Sequence, residues 1–386
     1  MWQALTLTTG SAIICGRGSF VQLQRLSCWR NRDHLGVGSL ILQGGRIIRR
    51  VTVRLRWHMD PADENGAGYP ISAACDSDAG VEQVNEQWPI PLSPLSGELG
   101  KAVELERALK AEALMASCPA FAASDIIYED QWLIVINKPS GVYCGHVLST
   151  VSSMMSSQSD DKISPSPNEG VGSKIHLHLA NRLDRDTSGV MIITKCKIVA
   201  GKLTRMFQNR RAKKTYVALC IGPRPTWDEV YIETGHGRSR WGAWRVYAHE
   251  DIGRKLPEKA TVKDMSTRFM LISINGKKVS GCCCDENHCE RIIAVKHQTY
   301  KNVPAYGDEV LLRAYPLSGR THQIRLHCQF FGLPLLGDVK YGGPLVWKGR
   351  TYEAHALHAE SISFRHPITD AALCLLAPLP EWATSD

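Results

Sequence analysis

No apolar run in this 386-residue chain approaches the roughly 18 residues that a membrane-spanning helix needs, which excludes a helical membrane span. No secretory signal pattern opens the chain, and its thirteen cysteines show no regular spacing. A disulfide scaffold is therefore excluded, and reduced thiols in an intracellular compartment are expected. No internal repeat is evident. The first sixty residues contain no lysine, and their only acids are Asp33 and Asp60. Against these stand nine arginines: 17, 25, 30, 32, 46, 49, 50, 54 and 56. An Arg-rich, acid-poor start matches organelle transit peptides, which favours a mitochondrion or plastid. A basic arm, or a start codon upstream of the true one, would leave cytoplasm or nucleus instead. Cys282, Cys283, Cys284, His288 and Cys289 lack the second ligand pair that a structural zinc site requires, so they read as free thiols in a polar insert over 275–307.

The length suits two to three domains, and the formal net charge of +8 suits a polyanionic partner. Three segments follow from composition: a basic segment over 1–60, a linker over 61–124 with a short helix near 100–115, and a folded domain over 125–380. Within the last, residues 126–138 read as a turn and a buried strand closed by Pro139, and the Ser-rich stretch 147–173 reads as a flexible loop. An amphipathic helix is expected over 197–209, with Val199, Leu203 and Met206 on one side. Strands are expected over 213–221 and 309–315. A helix over 321–331 carries Ile324, Cys328 and Phe331 on one face, with Gly332 suited to its C′ position. Strands and helices mix without strict alternation, so the fold class is α+β.

The chemistry concentrates in Arg182-Leu183-Asp184-Arg185-Asp186-Thr187-Ser188-Gly189, which feeds the apolar run Val190–Thr194. Charges beside a core are costly unless paired or used. Asp184 can act as nucleophile, general base or ion-pair partner, with Arg182 and Arg185 favouring its charged form. A purely structural salt-bridge loop is the competing reading. The second block is Ser318-Gly319-Arg320-Thr321-His322-Gln323-Ile324-Arg325-Leu326-His327. Helical spacing puts His322, Arg325 and Gln329 on one polar face, and N–H groups at the helix start with Arg320 and His322 could hold a phosphate. Otherwise this is a solvated basic face.

Both blocks resemble signatures of the RluA-type pseudouridine synthases, whose patterns are H-R-L-D-x-x-T-S-G and G-R-T-H-Q-I-R-L-H. Asn181 stands where the first pattern has His. Further matches follow in family order: Lys138-Pro139-Ser140-Gly141, Lys214-Thr215-Tyr216-Val217-Ala218, Gly337-Asp338-Val339-Lys340-Tyr341-Gly342, Leu357-His358-Ala359 and Phe364-Arg365-His366-Pro367. The stretch Gly235–Tyr247 is similar to plant members. The resemblance covers about residues 125–370, with no S4-type RNA-binding domain recognisable before it.

The resemblance implies that 125–380 is the catalytic domain, with a pseudouridine synthase fold of a mixed, largely antiparallel sheet flanked by helices and loops. It implies an isomerase that cleaves the N-glycosidic bond of uridine in RNA, rotates the base and rejoins it through C5, with no metal or organic cofactor. The implied catalytic residues are Asp184, Tyr216 and Arg325: the aspartate, a tyrosine that stacks on the base and is a candidate for the final proton abstraction, and the arginine that pairs with the aspartate. Leu357 would line the pocket. Arg182 would enter the stack vacated by the flipped base. Arg185, Arg238, Trp241, Arg320 and His322 would contact RNA; cations for phosphates and flat rings for bases suit looped or single-stranded RNA. The partner is RNA (tRNA, rRNA or mRNA), no membrane is involved, and a monomer is expected. A catalytically silent RNA-binding protein on the same scaffold is the alternative, and a nucleoside hydrolase that releases free uracil is a third reading.

Overall fold

The computed structural model describes residues 88–94, 98–159, 176–279, 289–294 and 307–384, with the backbone of six strands between Gln3 and Arg56. The thiol cluster at Cys282–Cys284 with His288, and the serines beyond residue 159, lie outside the described residues. The chain divides into two compact units, Met1–Asn85 and Glu86–Asp386. In the first, Gln3–Leu5, Ser27–Arg30, Leu35–Gly44 and Ile47–Arg56 form an antiparallel sheet, and Ile13–Gly16 pairs with Ser19–Gln22. Val51, Val53 and Leu55 alternate with Thr52, Arg54 and Arg56, the period-two pattern of a strand. Composition alone did not register that period.

The second unit is built on a mixed sheet of thirteen strands. Nine form its main path, numbered here along the chain: β1 (Ile126–Glu129), β2 (Leu133–Lys138), β3 (Ser188–Thr194), β4 (Lys213–Gly222), β5 (Glu229–Arg238), β6 (Trp244–Tyr247), β7 (Lys263–Ile274), β8 (Asp308–Pro316) and β9 (Leu357–Arg365). Their spatial order is β6-β5-β7-β8-β4-β9-β3-β2-β1. Every neighbouring pair on this path is antiparallel except β3 with β9. This is the α+β architecture expected, and the polar insert contributes a strand, Cys289–Ile293, parallel to β5.

The apolar runs of β2 and β3 are covered on both faces, as unbroken hydrophobic strands must be. Ile134, Ile136, Met191 and Ile193 pack under helix α2 (Cys144–Ser159). Leu133, Val135, Val190 and Ile192 pack on the other side against Val199 and Leu203 of helix α3 (Lys197–Gln208). Helix α2 corrects the reading of its sequence as a loop. Val147 and Val151, one turn apart, are buried in that core. Ser149, Ser153 and Ser156 donate their hydroxyls back to the carbonyls of His146, Ser149 and Ser152, so each finds its partner within the helix. Burial of an i, i+4 apolar pair outweighs a serine-rich composition.

Two further helices frame the loop of Asp184. Helix α1 (Glu98–Ser117) is longer than a linker helix and belongs to this unit. Its Arg107 is buried, donating to the carbonyls of Gly337 and Tyr352 at 2.9 and 2.6 Å. Helix α4 (Gln323–Phe330) is buried along its whole length, and Gly332 beyond it has φ +86°, the left-handed position foreseen.

Candidate active site

The Asp184 loop enters the sheet where β3 and β9 run parallel. Ser188 lies opposite His358 and Gly189 opposite Ala359. A Cβ at Gly189 would sit 2.2 Å from the Ala359 carbonyl oxygen, and its φ is +106°. Only glycine fits there. The loop is then fastened from several sides. Lys138, fully buried, donates from Nζ to the carbonyls of Pro139, Val142 and Arg185 at 2.7, 2.8 and 2.8 Å. Burial pulls its ammonium down to about 8. Thr187 shares a 2.7 Å hydrogen bond with His355, and Ser188 one of 2.8 Å with His358. Asn181 explains its own presence: its Oδ1 accepts from Ile192 N at 2.7 Å and its Nδ2 donates to Val190 O at 3.3 Å, so the side chain docks on β3 like a short strand.

Arg185 turns inward, contrary to the expectation that it touches RNA. Its guanidinium grips Asp186 with bonds of 2.6 and 2.7 Å and reaches Glu104 of α1 at 3.3 Å. Arg107 lies 3.6 Å from the same Asp186. The nearly buried Asp186 requires such cations, and Arg185 is the nearest. Nor do the flanking arginines serve as Asp184's counter-charge. That falls to Arg325 of α4, which arrives from 141 residues away and donates from Nη1 to Asp184 Oδ2 at 2.9 Å. The same guanidinium forms a bidentate pair with buried Asp338 at 2.7 and 2.8 Å and lies 4.9 Å over the Tyr341 ring. Burial alone would raise the Asp184 carboxyl, but Arg325 overrides it and holds the group below the usual carboxylate range.

His322 precedes α4 in the left-handed region, φ +57°, a conformation rare outside glycine and typical of sites under functional constraint. Its Nδ1 shares a 2.7 Å hydrogen bond with the Tyr341 hydroxyl, and its Nε2 lies 3.8 Å from Asp184 Oδ2. Burial lowers it to about 3, so it is neutral at physiological pH. The exposed basic helix start expected here is absent: α4 is enclosed, and Arg320 is spent on Asp264, whose backbone oxygen and carboxylate it meets at 2.9 and 2.7 Å.

Tyr216, half-buried on β4, is pushed upward by burial and by the Asp184 charge. Leu357 pairs with Ala218 in the strand next to it and packs in the same core as Tyr341, with Tyr216 against that core. Asp184, Arg325, Tyr216, His322 and Leu357 therefore meet, although they come from four distant stretches of chain. Arg182 is exposed and makes no hydrogen bond or ion pair among the described residues. Arg238 and Trp241 stand apart, on the β5–β6 hairpin. Sequence reasoning missed Asp338, Lys138, Arg107 and Glu104; the first two sit inside recognised motifs, while nothing in α1 announces its role. A separate cavity of about 470 Å³ opens among Asn137, Ser188, His358 and Trp382, and neither Asp184, Tyr216 nor Arg325 lines it.

The arrangement couples an ionised carboxylate, a buried arginine clamp and an aromatic wall. A model of the RNA pseudouridylate synthase family matches residues 132–330. The chain belongs to that family. It is an enzyme of the RluA type and is similar to plant members. RNA pseudouridine synthase 1 of Oryza sativa subsp. japonica is 48% identical over 305 residues, covering 77% of this chain and 84% of that protein. RNA pseudouridine synthase 1 of Arabidopsis thaliana is 44% identical, covering 79% and 90%. Ribosomal large subunit pseudouridine synthase C of Vibrio cholerae is 25% identical, covering 77% and 72%. The family match includes the loop of Asp184, Tyr216 and α4.

Proposed function

We propose that this enzyme isomerises uridines in RNA to pseudouridine, with Asp184 as the residue on which the reaction depends. The observation that carries this is the Asp184 carboxylate, part-exposed yet held ionised by a buried Arg325 that is itself locked by Asp338. Breaking N1–C1′ builds positive charge on the ribose, which a carboxylate beside C1′ stabilises, as in glycoside hydrolysis. The uracil is retained, turned and joined at C5, with the C5 proton lost and N1 protonated.

Tyr216 and Leu357 form the wall against which the detached base rests. A phenol pushed upward is a poor base in the resting enzyme, so stacking, with the proton kept on oxygen, is the role that fits Tyr216. Arg182, exposed beside the loop and unengaged among the described residues, fills the stack when the target uridine flips out. Arg320 is placed by its Asp264 pair to face RNA phosphates only through its remaining donors, and His322 holds Tyr341 rather than RNA.

The test is nucleoside analysis of RNA incubated with wild type or Asp184→Asn. Pseudouridine should rise only with wild type, while RNA affinity is kept by both. Equal product from both would overturn the proposal, and free uracil in place of pseudouridine would make the enzyme a hydrolase.

A further inference from the structure

The β5–β6 hairpin carries two tryptophans with opposite fates. Trp244 is used internally. It stacks on His236 with centroids 4.9 Å apart and planes 11° from parallel, and the Arg238 guanidinium lies 5.9 Å from its ring. Trp241, at the tip, is 72% exposed, more than any other tryptophan among the described residues. Its ring contact is with Arg240, whose guanidinium lies 4.7 Å from the centroid.

The turn beneath it is fixed. Ser239 N donates to Ala243 O and Gly242 N to Ser239 O, both at 2.8 Å, while Arg238 Nε donates to Gly242 O at 2.7 Å. Gly242 takes φ +77° to close it. The ring is thus presented by a preorganised backbone, which cuts the ordering cost of binding. Of the three arginines from Gly237 to Tyr247, Arg245 is buried against the Pro94 carbonyl, while Arg238 and Arg240 are exposed with no acid in the stretch, a local charge that favours a polyanion over a neutral apolar partner.

The root of the hairpin is tied to the site. His236 Nε2 is bonded to the Thr321 carbonyl at 3.0 Å, one residue before His322. Trp241 lies five residues beyond His236, so its Cα is at most about 17 Å from that anchor.

We propose that Trp241 is a stacking platform for one unpaired base of the substrate RNA flanking the target uridine, with Arg240 as its backing. The proposal rests on the reading of the enzyme as acting on RNA, and it gives the looped or single-stranded RNA expected of that reading a specific stacking residue outside the Asp184 site. Stacking on the open face leaves the base sandwiched between Trp241 and solvent, with Arg238 and Arg240 near its phosphates. Aromatic stacking is sequence-tolerant, so Trp241 selects for an unpaired nucleotide and not for its identity.

The test uses fluorescein-labelled U12 and a blunt 12-base-pair RNA duplex in anisotropy titrations with wild type, Trp241→Ala and Trp241→Phe. Trp241→Ala should bind U12 about fivefold to a hundredfold more weakly. Trp241→Phe should stay within about threefold, since it keeps a ring, and duplex affinity should not separate the three proteins. U12 should also quench tryptophan fluorescence more in wild type than in Trp241→Phe. Equal U12 affinity for wild type and Trp241→Ala overturns the proposal, as does an equal loss on U12 and duplex. If wild type makes no pseudouridine, the functional reading has failed, and these titrations still report on the platform separately.

Discussion

Replacing Arg325 with Met is the most informative single perturbation of this site. Arg325 is buried between two carboxylates, and its guanidinium makes bonds of 2.7 and 2.8 Å to Asp338 and 2.9 Å to Asp184. Met fills much of the same volume but removes all three. Asp338, 1% exposed, is then left as a buried charge without its cation. Breaking such a pair from one side costs about 3–5 kcal/mol. Asp184 loses the opposite charge that offsets its burial, so its carboxyl moves upward. Two readouts follow. Urea unfolding at neutral pH should show the stability loss, and the acid limb of kcat/KM for pseudouridine formation should move upward. Arg325→Lys keeps the charge but not the fork, so it should hold the acid limb closer to wild type while still losing stability. A Met variant within about 1 kcal/mol of wild type, with an unmoved acid limb, would refute the reasoning that Arg325 sets the state of Asp184.

Other consequences are as direct. Gly189→Ala puts a Cβ against the Ala359 carbonyl at a positive φ, so it should lower thermal stability by more than about 2 kcal/mol and abolish product; a wild-type melting temperature would contradict the close approach of β3 and β9. Asn181→Ala orphans the Ile192 N–H and should cost about 1–3 kcal/mol, read by urea unfolding, with a fall in activity as the loop loosens. His322 and His327 are lowered to about 3, and His236 and His358 to about 4, in each case first by burial. The unfolded chain then binds more protons than the folded one from pH 6.5 downward, so this contribution to stability is complete above pH 6.5 and lost as pH falls toward 3–4. Going from pH 7 to 5.5 should remove about 1 kcal/mol per histidine; a stability flat across that interval would contradict their buried neutral state.

What could be read in advance followed the reach of each signal. The two apolar runs at β2 and β3 and the periodic stripe of α3 announced themselves, because burial imposes their patterns locally. The meeting of Asp184, Tyr216, Arg325 and Leu357 was legible only through family motifs, since no local pattern joins residues so far apart. Arg185 was misjudged because charge content does not say which way a guanidinium points; its direction is decided by Asp186 and by Glu104 of a helix more than 80 residues earlier. Helix α2 was hidden because its serines satisfy their hydroxyls within the helix, which composition cannot reveal. Asn181, a departure from the family pattern, is accounted for by the two bonds its amide makes to β3.

The central claim is that Asp184 drives uridine isomerisation in RNA. Carbodiimide mapping of total and organellar RNA, after incubation with wild type or Asp184→Ala, tests it at single-nucleotide resolution. New stops should appear at discrete uridines with wild type and none with the variant, both proteins binding the same RNA. Identical stops from the two proteins, or none from either despite intact binding, would contradict it.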